Sequence, residues 1–154
     1  MKVYLIFTRK VLALIFCTVL LFLCFSLKYK SVAQTAKNGN TQGERIEFLR
    51  GIGCYVLAES ETKKQITVPV SFSDVYKVYN GVQKKANYDL TLYKGEKCTV
   101  YTYKVLKCDF IGDTKYFNAN LIIYNGRIIG GDISSSELSG RMYALIKQYE
   151  KTTT

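Results

Sequence analysis

Hydrophobic and polar positions along this chain recur with two periods, one typical of helices and one typical of strands. Apolar residues three or four positions apart predict three helices, over residues 41–53, 71–85 and 139–151. Thr41 with Glu44, and Ser71 with Asp74, have the spacing of capping pairs at the first two helix starts. The side chains expected to be buried are Ile46, Leu49 and Ile52 in the first helix, Val75, Tyr79, Val82 and Ala86 in the second, and Met142, Leu145, Ile146 and Tyr149 in the third.

Alternating or continuous apolar runs predict five strands, over residues 54–60, 63–70, 98–108, 116–124 and 127–133. The link ETKK suits a hairpin turn between the first two strands, and Pro69 suggests an edge or a strand end. The order α-β-β-α-β-β-β-α with short links predicts an α+β fold. We expect a small antiparallel sheet of about five strands with the helices packed on one face.

The strongest local signal is Asn125-Gly126 between two apolar runs, which predicts a two-residue hairpin loop. Such a loop fixes the register, and it places Tyr124 opposite Arg127 and Ala119 opposite Asp132. One face of this hairpin then carries Phe117, Ala119, Leu121, Ile123 and Ile128, and the other carries Ile122, Tyr124 and Ile129. Both faces are apolar, so the hairpin is expected to be central or covered.

The glycine pair that follows the hairpin has a structural and a functional interpretation. Gly130-Gly131 predicts a bulge or the close approach of a packed helix, and this interpretation is favoured over backbone approach to a ligand. Ser134 and Glu137 match a capping box and so predict a helical turn. If the domain has a small surface pocket, we expect it around Asp132, with Gly130, Gly131, Asp132 and Ser134 as the candidate ligand-facing residues.

An uncharged apolar run at residues 11–27 is the main clue to location. As a helix it would reach about 26 Å, slightly short of a bilayer core of about 30 Å, and flanking lysines can cover the difference. An uncleaved signal anchor and a secretory signal cleaved near Ala33 both fit; the length of the run and the lysines after it favour the anchor. We therefore expect a short cytoplasmic tail (1–10), a transmembrane helix (11–27), a polar tether (28–43) and an extracytoplasmic domain (44–150).

Charge and composition exclude several function classes. The net charge is +10, but six of the lysines and arginines lie in residues 1–37, which contain no acidic residue. The remainder is a mildly basic surface rather than a nucleic-acid interface. Histidine is absent, which removes the commonest acid–base catalyst and metal ligand. We expect no catalytic residues, no metal site and no cofactor.

The cysteines of the outer part of the chain leave two alternatives. Cys98 and Cys108 lie at opposite ends of one predicted strand, about 33 Å apart, and cannot bridge each other. One disulfide involving Cys54 is compatible with the sequence, and three buried free thiols form the favoured alternative.

Four stretches carry a resemblance to a known family: RIEFLRGIGCYV, ITVPVSFSDVYKVYNGVQKK, YDLTLYKGEKCTVYTYKV and ANLIIYNGRIIGGDISSSEL. Over about residues 44–143 the chain resembles a bacterial family known as domain of unknown function 4830. The resemblance implies a Gram-positive, membrane-anchored protein with one small outer domain. It implies no mechanism and no functional residues.

Three functions are compatible with these features. The favoured one is a non-enzymatic, membrane-tethered module that binds an envelope protein, a peptide or a wall polymer. The second is a basic module that binds anionic lipid or wall polymer through Lys63, Lys64, Lys84 and Lys85. The third is a small envelope hydrolase that uses Asp132, a serine of 134–136 and a tyrosine.

Overall fold

A computed structural model describes residues 11, 15–19, 37–137 and 140–146. The chain divides into two compact units, residues 1–35 and 36–154. Residues 11 and 15–19 of the first unit are helical, and the rest of the predicted tail, transmembrane segment and early tether lies outside the described residues. In the described part of the chain, no helix is both long enough and apolar enough to cross a membrane.

The described residues of the second unit form two helices, six strands and two short 3₁₀ turns. The helices are α1 (Gln42–Gly51) and α2 (Asp74–Lys85). The strands are β1 (Cys54–Val56), β2 (Thr62–Thr67), β3 (Lys97–Cys108), β4 (Phe117–Tyr124), β5 (Arg127–Ser135) and β6 (Met142–Ala144). The 3₁₀ turns are Ala58–Ser60 and Leu90–Tyr93. The predicted α+β class is confirmed.

All six strands form one antiparallel sheet in the order β1–β3–β4–β5–β6, with β2 paired to β3 beside β1. The predicted hairpin between β1 and β2 is wrong, because the two strands pair with opposite halves of the long strand β3 and not with each other. Between β1 and β2, the 3₁₀ turn and its flanking residue hydrogen-bond to the middle of β3. There, the Leu57 N–H donates to the Lys104 carbonyl, and the Lys104 N–H donates to Ser60 Oγ.

The last element that the structure describes is a strand where the sequence predicts a helix. Met142–Ala144 forms β6, which pairs with β5 so that Asp132 lies opposite Ala144. Ser134 and Ser135 continue β5, so the helical turn predicted from the Ser134–Glu137 spacing is also wrong. The backbone of β5 is buried and its N–H and C=O groups need partners, which β6 supplies in place of a helix. Residues 139 and 147–151 of the predicted helix lie outside the described residues.

The two helices cover opposite faces of the sheet, which corrects the expectation that they share one face. The α1 face carries Leu49 of α1 against Tyr103, Leu121 and Ile128 of the strands. The α2 face carries Tyr76 and Tyr79 against Ile122 and Ile129. Because both faces of β4 and β5 are apolar, each face buries a core of its own, and the hairpin is central as predicted.

The β4–β5 hairpin confirms the predicted loop but not the whole predicted register. Asn125 and Gly126 have φ values of 46° and 73°, and Tyr124 lies opposite Arg127. The pairing then shifts between Ile122 and Ile123, so that Ile129 is the extra residue of a bulge. As a result Asn120, not Ala119, lies opposite Asp132.

Helix starts and buried stripes are partly as predicted. The capping box of Thr41 and Glu44 is confirmed in α1, and Leu49 and Ile52 are buried. In α2 the cap is Ser73, whose hydroxyl accepts from the Tyr76 N–H, and not the predicted Ser71–Asp74 pair.

The buried side of α2 also differs from the predicted stripe. Val75 is 80% exposed, whereas Asn80 and Gln83 are buried because their amides bond to the backbone of Leu90 and Gly131. Polar groups with buried backbone partners thus replace part of the predicted apolar stripe.

A disulfide joins Cys54 and Cys108, whose Cα atoms are 4.2 Å apart. This corrects the preference for three free thiols: pairing of β1 with the end of β3 sets the two cysteines directly opposite each other. Cys98 is a buried free thiol on the α2 face. Residues 37–39, which the sequence places in the tether, run beside β5, where the Gly39 N–H donates to the Gly126 carbonyl.

Candidate functional site

Asp132 lies at the centre of a polar network on the α2 face and is only 4% exposed. Its carboxylate accepts from the Tyr79 hydroxyl at 2.9 Å and from Asn120 Nδ2 at 2.8 Å. Asn120 also donates to Ser134 Oγ at 3.1 Å and accepts from Thr102 Oγ1 at 2.8 Å. The network therefore crosses β3, β4 and β5 and fastens α2 to them.

The chemistry of this network is that of neutral donors around a carboxylate. Burial, and then the charge of Asp132, raise the pKa of Tyr79 far above its ordinary value, so its hydroxyl stays protonated and keeps donating. Among the described residues, no lysine or arginine forms an ion pair with Asp132. The arrangement can hold the strands and α2 in register, and a ligand-facing role for Asp132 and Ser134 stays a prediction.

Gly130 and Gly131 lie directly beneath α2. A Cβ atom on Gly130 would lie 2.9 Å from Gln83 Oε1 and 3.2 Å from Leu90 Cδ2. Gly131 has a φ of +146°, a Cβ there would collide with the Asn120 carbonyl, and its N–H donates to Gln83 Oε1 at 2.7 Å. The predicted close approach of a helix is confirmed and accounts for Gly130, whereas Gly131 is required by its positive φ and by the Asn120 carbonyl.

The four lysines of the basic-module hypothesis do not lie on one element. Lys63 and Lys64 are on β2 at one edge of the sheet, whereas Lys84 and Lys85 end α2 next to Gln83, which contacts β5. Two strands lie between β2 and β5, a separation of about 14 Å. Lys84 is also paired with Asp89 at 3.4 Å.

A pocket of about 380 Å³ opens on the α1 face at the end of the sheet. It is lined by residues 110–113 of the β3–β4 loop and by the described residues 137, 140 and 141 of the β5–β6 loop, together with the rings of Phe110, Phe117 and Tyr143. The ring centres of Phe110 and Phe117 each lie 6.0 Å from that of Tyr143. The remaining lining residues are Ile111, Gly112, Asp113, Ser135, Glu137, Gly140 and Arg141.

Hydrogen bonds hold the two loops together. The Ser136 N–H and hydroxyl both donate to the Tyr116 carbonyl, at 2.7 and 3.0 Å. The Ser135 N–H donates to the Arg141 carbonyl at 3.0 Å, which closes the β5–β6 turn. The Cys54–Cys108 disulfide fixes the end of β3 at the start of the other loop. These contacts hold the two sides of the pocket together.

Sequence reasoning missed this pocket for a specific reason. The sequence pattern correctly predicts Phe117 on one face of the sheet, but it predicts Tyr143 in a helix. It therefore does not indicate that the two rings are neighbours. Only the pairing of β6 with β5, which sets Tyr143 opposite Ile133, would have shown it. A larger hollow of about 580 Å³ lies beside α1, but Phe48 is the one aromatic ring among its described lining residues.

In the ranges that the structure describes, no group of three acidic or cysteine side chains could hold a metal ion. The comparison with family models matches residues 48–133 to the family described as Domain of unknown function (DUF4830). The chain belongs to this family. The DUF4830 match runs from the middle of α1 into β5, and it includes Phe110, Asp113 and Phe117 but ends before Glu137 and Arg141. No curated protein and no solved structure matches the chain.

Proposed function

We propose that this DUF4830 protein is a non-enzymatic binding module of the cell envelope, tethered to the membrane through residues 11–27 with its domain outside. Its ligand, an envelope protein, a peptide or a wall polymer, lies in the pocket between the β3–β4 and β5–β6 loops. The observation that carries the proposal is this pocket, which is lined by three aromatic rings and by three charged side chains. Apolar floors with a few placed polar groups are typical of ligand sites.

The Cys54–Cys108 disulfide supports the outer location. Disulfides persist in oxidising compartments and are rare in the cytosol. The uncharged run at residues 11–27, with arginine and lysine before it and lysines after it, supports the membrane anchor. The family resemblance implies the same location, namely a domain outside the cell that is anchored to the membrane.

A binding role suits the side chains better than catalysis does. The chain has no histidine. Asp132, the carboxylate that the hydrolase hypothesis needs, is buried and bonded to Tyr79 and Asn120. A general base needs a lone pair directed at a substrate, whereas each oxygen of this buried carboxylate already accepts a hydrogen bond from a neighbouring side chain.

Capture from living cells tests the proposal. The full chain with a C-terminal tag is expressed in Gram-positive cells, cross-linked in place and recovered from the envelope fraction. Wild type is expected to retain a component that Arg141→Ala loses. Arg50→Ala is the matched control, because Arg50 is also exposed but is not among the residues that line the pocket. Equal recovery with both variants, or no cross-linked component at all, would reject the pocket as the binding site.

A further inference from the structure

We infer that the pocket recognises a small zwitterion, namely the end of a short peptide or a free amino acid. Its ammonium group contacts Asp113 and Glu137, its carboxylate pairs with Arg141, and its apolar part lies on the three rings. The inference rests on the proposed function, because it names the ligand class of the same pocket. The volume of about 380 Å³ suits a small ligand rather than a folded partner.

The charged side chains around the pocket are available to a ligand. Within the described part of the chain, Glu137 and Arg141 form no ion pair. Asp113 accepts one hydrogen bond, from the Lys115 N–H at 3.0 Å, which leaves its other oxygen open. All three residues are exposed, so a ligand reaches them without displacing a buried group.

The placement of the charges favours a ligand that carries both signs. Asp113 belongs to the β3–β4 loop, and Glu137 and Arg141 belong to the β5–β6 loop, so carboxylates occur on both walls and a guanidinium on one. An ammonium group can bond to the carboxylates while it lies over an aromatic ring. A carboxylate can bond to the planar guanidinium through two parallel hydrogen bonds.

Other ligand classes fit the same groups less well. A polyphosphate or another polyanion would satisfy Arg141 but would be repelled by Asp113 and Glu137. A purely apolar ligand would cover the rings and leave three charged groups without partners. A zwitterion satisfies both the rings and the charges.

Equilibrium dialysis with mass spectrometry tests this ligand class. The purified full chain in detergent is dialysed against a mixture of dipeptides, against the same mixture N-acetylated or C-amidated, and against a mixture of amino acids. We expect free dipeptides to be retained, and acetylation or amidation to lower retention about tenfold each, the usual effect of losing one charged hydrogen bond. If only amino acids are retained, the ligand is a free amino acid. If only dipeptides are retained, the ligand is the end of a peptide.

Variants separate the charge contacts from a general loss of the pocket. Arg141→Ala should lower retention of free dipeptides about tenfold but leave retention of amidated ones unchanged. Arg50→Ala should change neither. Equal retention of free and blocked peptides, or no retention by wild type, overturns the inference. If the envelope component is still captured in an Arg141-dependent way, the proposed function stands without it; if that capture is also absent, both fail.

Discussion

At the scale of single residues, the best-satisfied group of the described chain is the buried guanidinium of Arg45. Its nitrogens donate to the Tyr103 hydroxyl, the Gly39 and Asn40 carbonyls and the Glu61 carboxylate, all at 2.8–3.0 Å. The hydroxyl of Tyr103 also bonds to Glu61, and the guanidinium lies 3.6 Å from the centre of the Tyr101 ring. One side chain thus joins α1, β3 and the segment that leads into the domain.

Removal of this guanidinium should destabilise the fold strongly. Arg45→Ala removes the cationic partner of Glu61, and it takes the guanidinium donor from the buried Gly39 carbonyl and the partly buried Asn40 carbonyl. We therefore expect a loss of about 3–5 kcal/mol in the free energy of unfolding. The control is Arg50→Ala, which removes an exposed arginine from the last turn of the same helix. It should change the free energy of unfolding by less than about 0.5 kcal/mol. Chemical denaturation of the full chain in detergent measures both. A loss below about 1 kcal/mol for Arg45→Ala would show that the cluster is not a stabilising centre.

Asp89 gives a prediction of pH dependence. Burial alone would raise its pKa, but hydrogen bonds from Asn80, Thr91 and Lys84 outweigh burial and lower the pKa to about 2. Because the folded pKa lies below the unfolded value of about 3.9, the carboxylate stabilises the fold above about pH 4, and this contribution is lost as the pH falls through about 2.

Asp89→Asn should therefore cost about 1 kcal/mol at pH 7, a value reduced for partial exposure of the side chain. The difference from wild type should shrink below about pH 4 and vanish near pH 1. Asp109→Asn is the control, since Asp109 forms an exposed pair with Lys107. Thermal unfolding from pH 2 to pH 7 measures the three chains. A difference that stays constant over this range would assign the effect of Asp89 to packing rather than charge.

At the scale of elements, the position of α2 against β5 depends on glycine at position 130. Gly130→Ala puts a methyl group against Gln83 and Leu90, so we expect a loss of about 1–3 kcal/mol. Gly81→Ala is the matched control: Gly81 lies on the exposed side of α2, and nothing is within 4 Å of its Cβ position. Its substitution should raise stability by about 0.5–1 kcal/mol. If both substitutions stabilise equally, the close approach of α2 is not a constraint on β5.

The elements also show which parts of the fold the sequence could predict. The positions of α1, α2, β3, β4 and the Asn125-Gly126 loop follow from local signals, namely caps, periodicity and turn residues. The buried side of α2 does not, because Asn80 and Gln83 are polar and are buried only by backbone partners elsewhere in the chain. β6 does not either, because Met142, Leu145 and Ile146 have helical spacing, whereas Met142–Ala144 forms a strand through its pairing with β5.

At the scale of the whole molecule, the missing information is long-range pairing. The disulfide and the pocket both depend on partners that are distant in sequence: β1 with the far end of β3, and β6 with β5. Local patterns place Asp132 beside the Gly130-Gly131 pair, whose unusual backbone is present in the structure. The partners of the Asp132 carboxylate, however, are Tyr79 and Asn120, which local patterns do not indicate. The pocket lies at the other face of the same sheet end, where no local pattern indicates it.

The disulfide links stability to location, and both can be measured on one variant. Cys54 and Cys108 are 54 residues apart, and a loop of that length in the unfolded chain corresponds to about 4 kcal/mol of stabilisation. The double variant Cys54→Ala/Cys108→Ala should lose about this amount, and reduction of wild type should reproduce the loss. Cys98→Ala is the control, because Cys98 forms no disulfide and its stability effect should not depend on reductant.

Cys54 and Cys108 also show in which compartment the domain lies, when thiols are alkylated in intact cells before and after reduction. An exported domain should carry alkyl groups on Cys54 and Cys108 only after reduction. Burial raises the pKa of the Cys98 thiol, so Cys98 should react slowly in either state. Alkylation of Cys54 and Cys108 without reduction would place the domain in a reducing compartment. The tethered envelope module would then be excluded, although the fold and the pocket would remain.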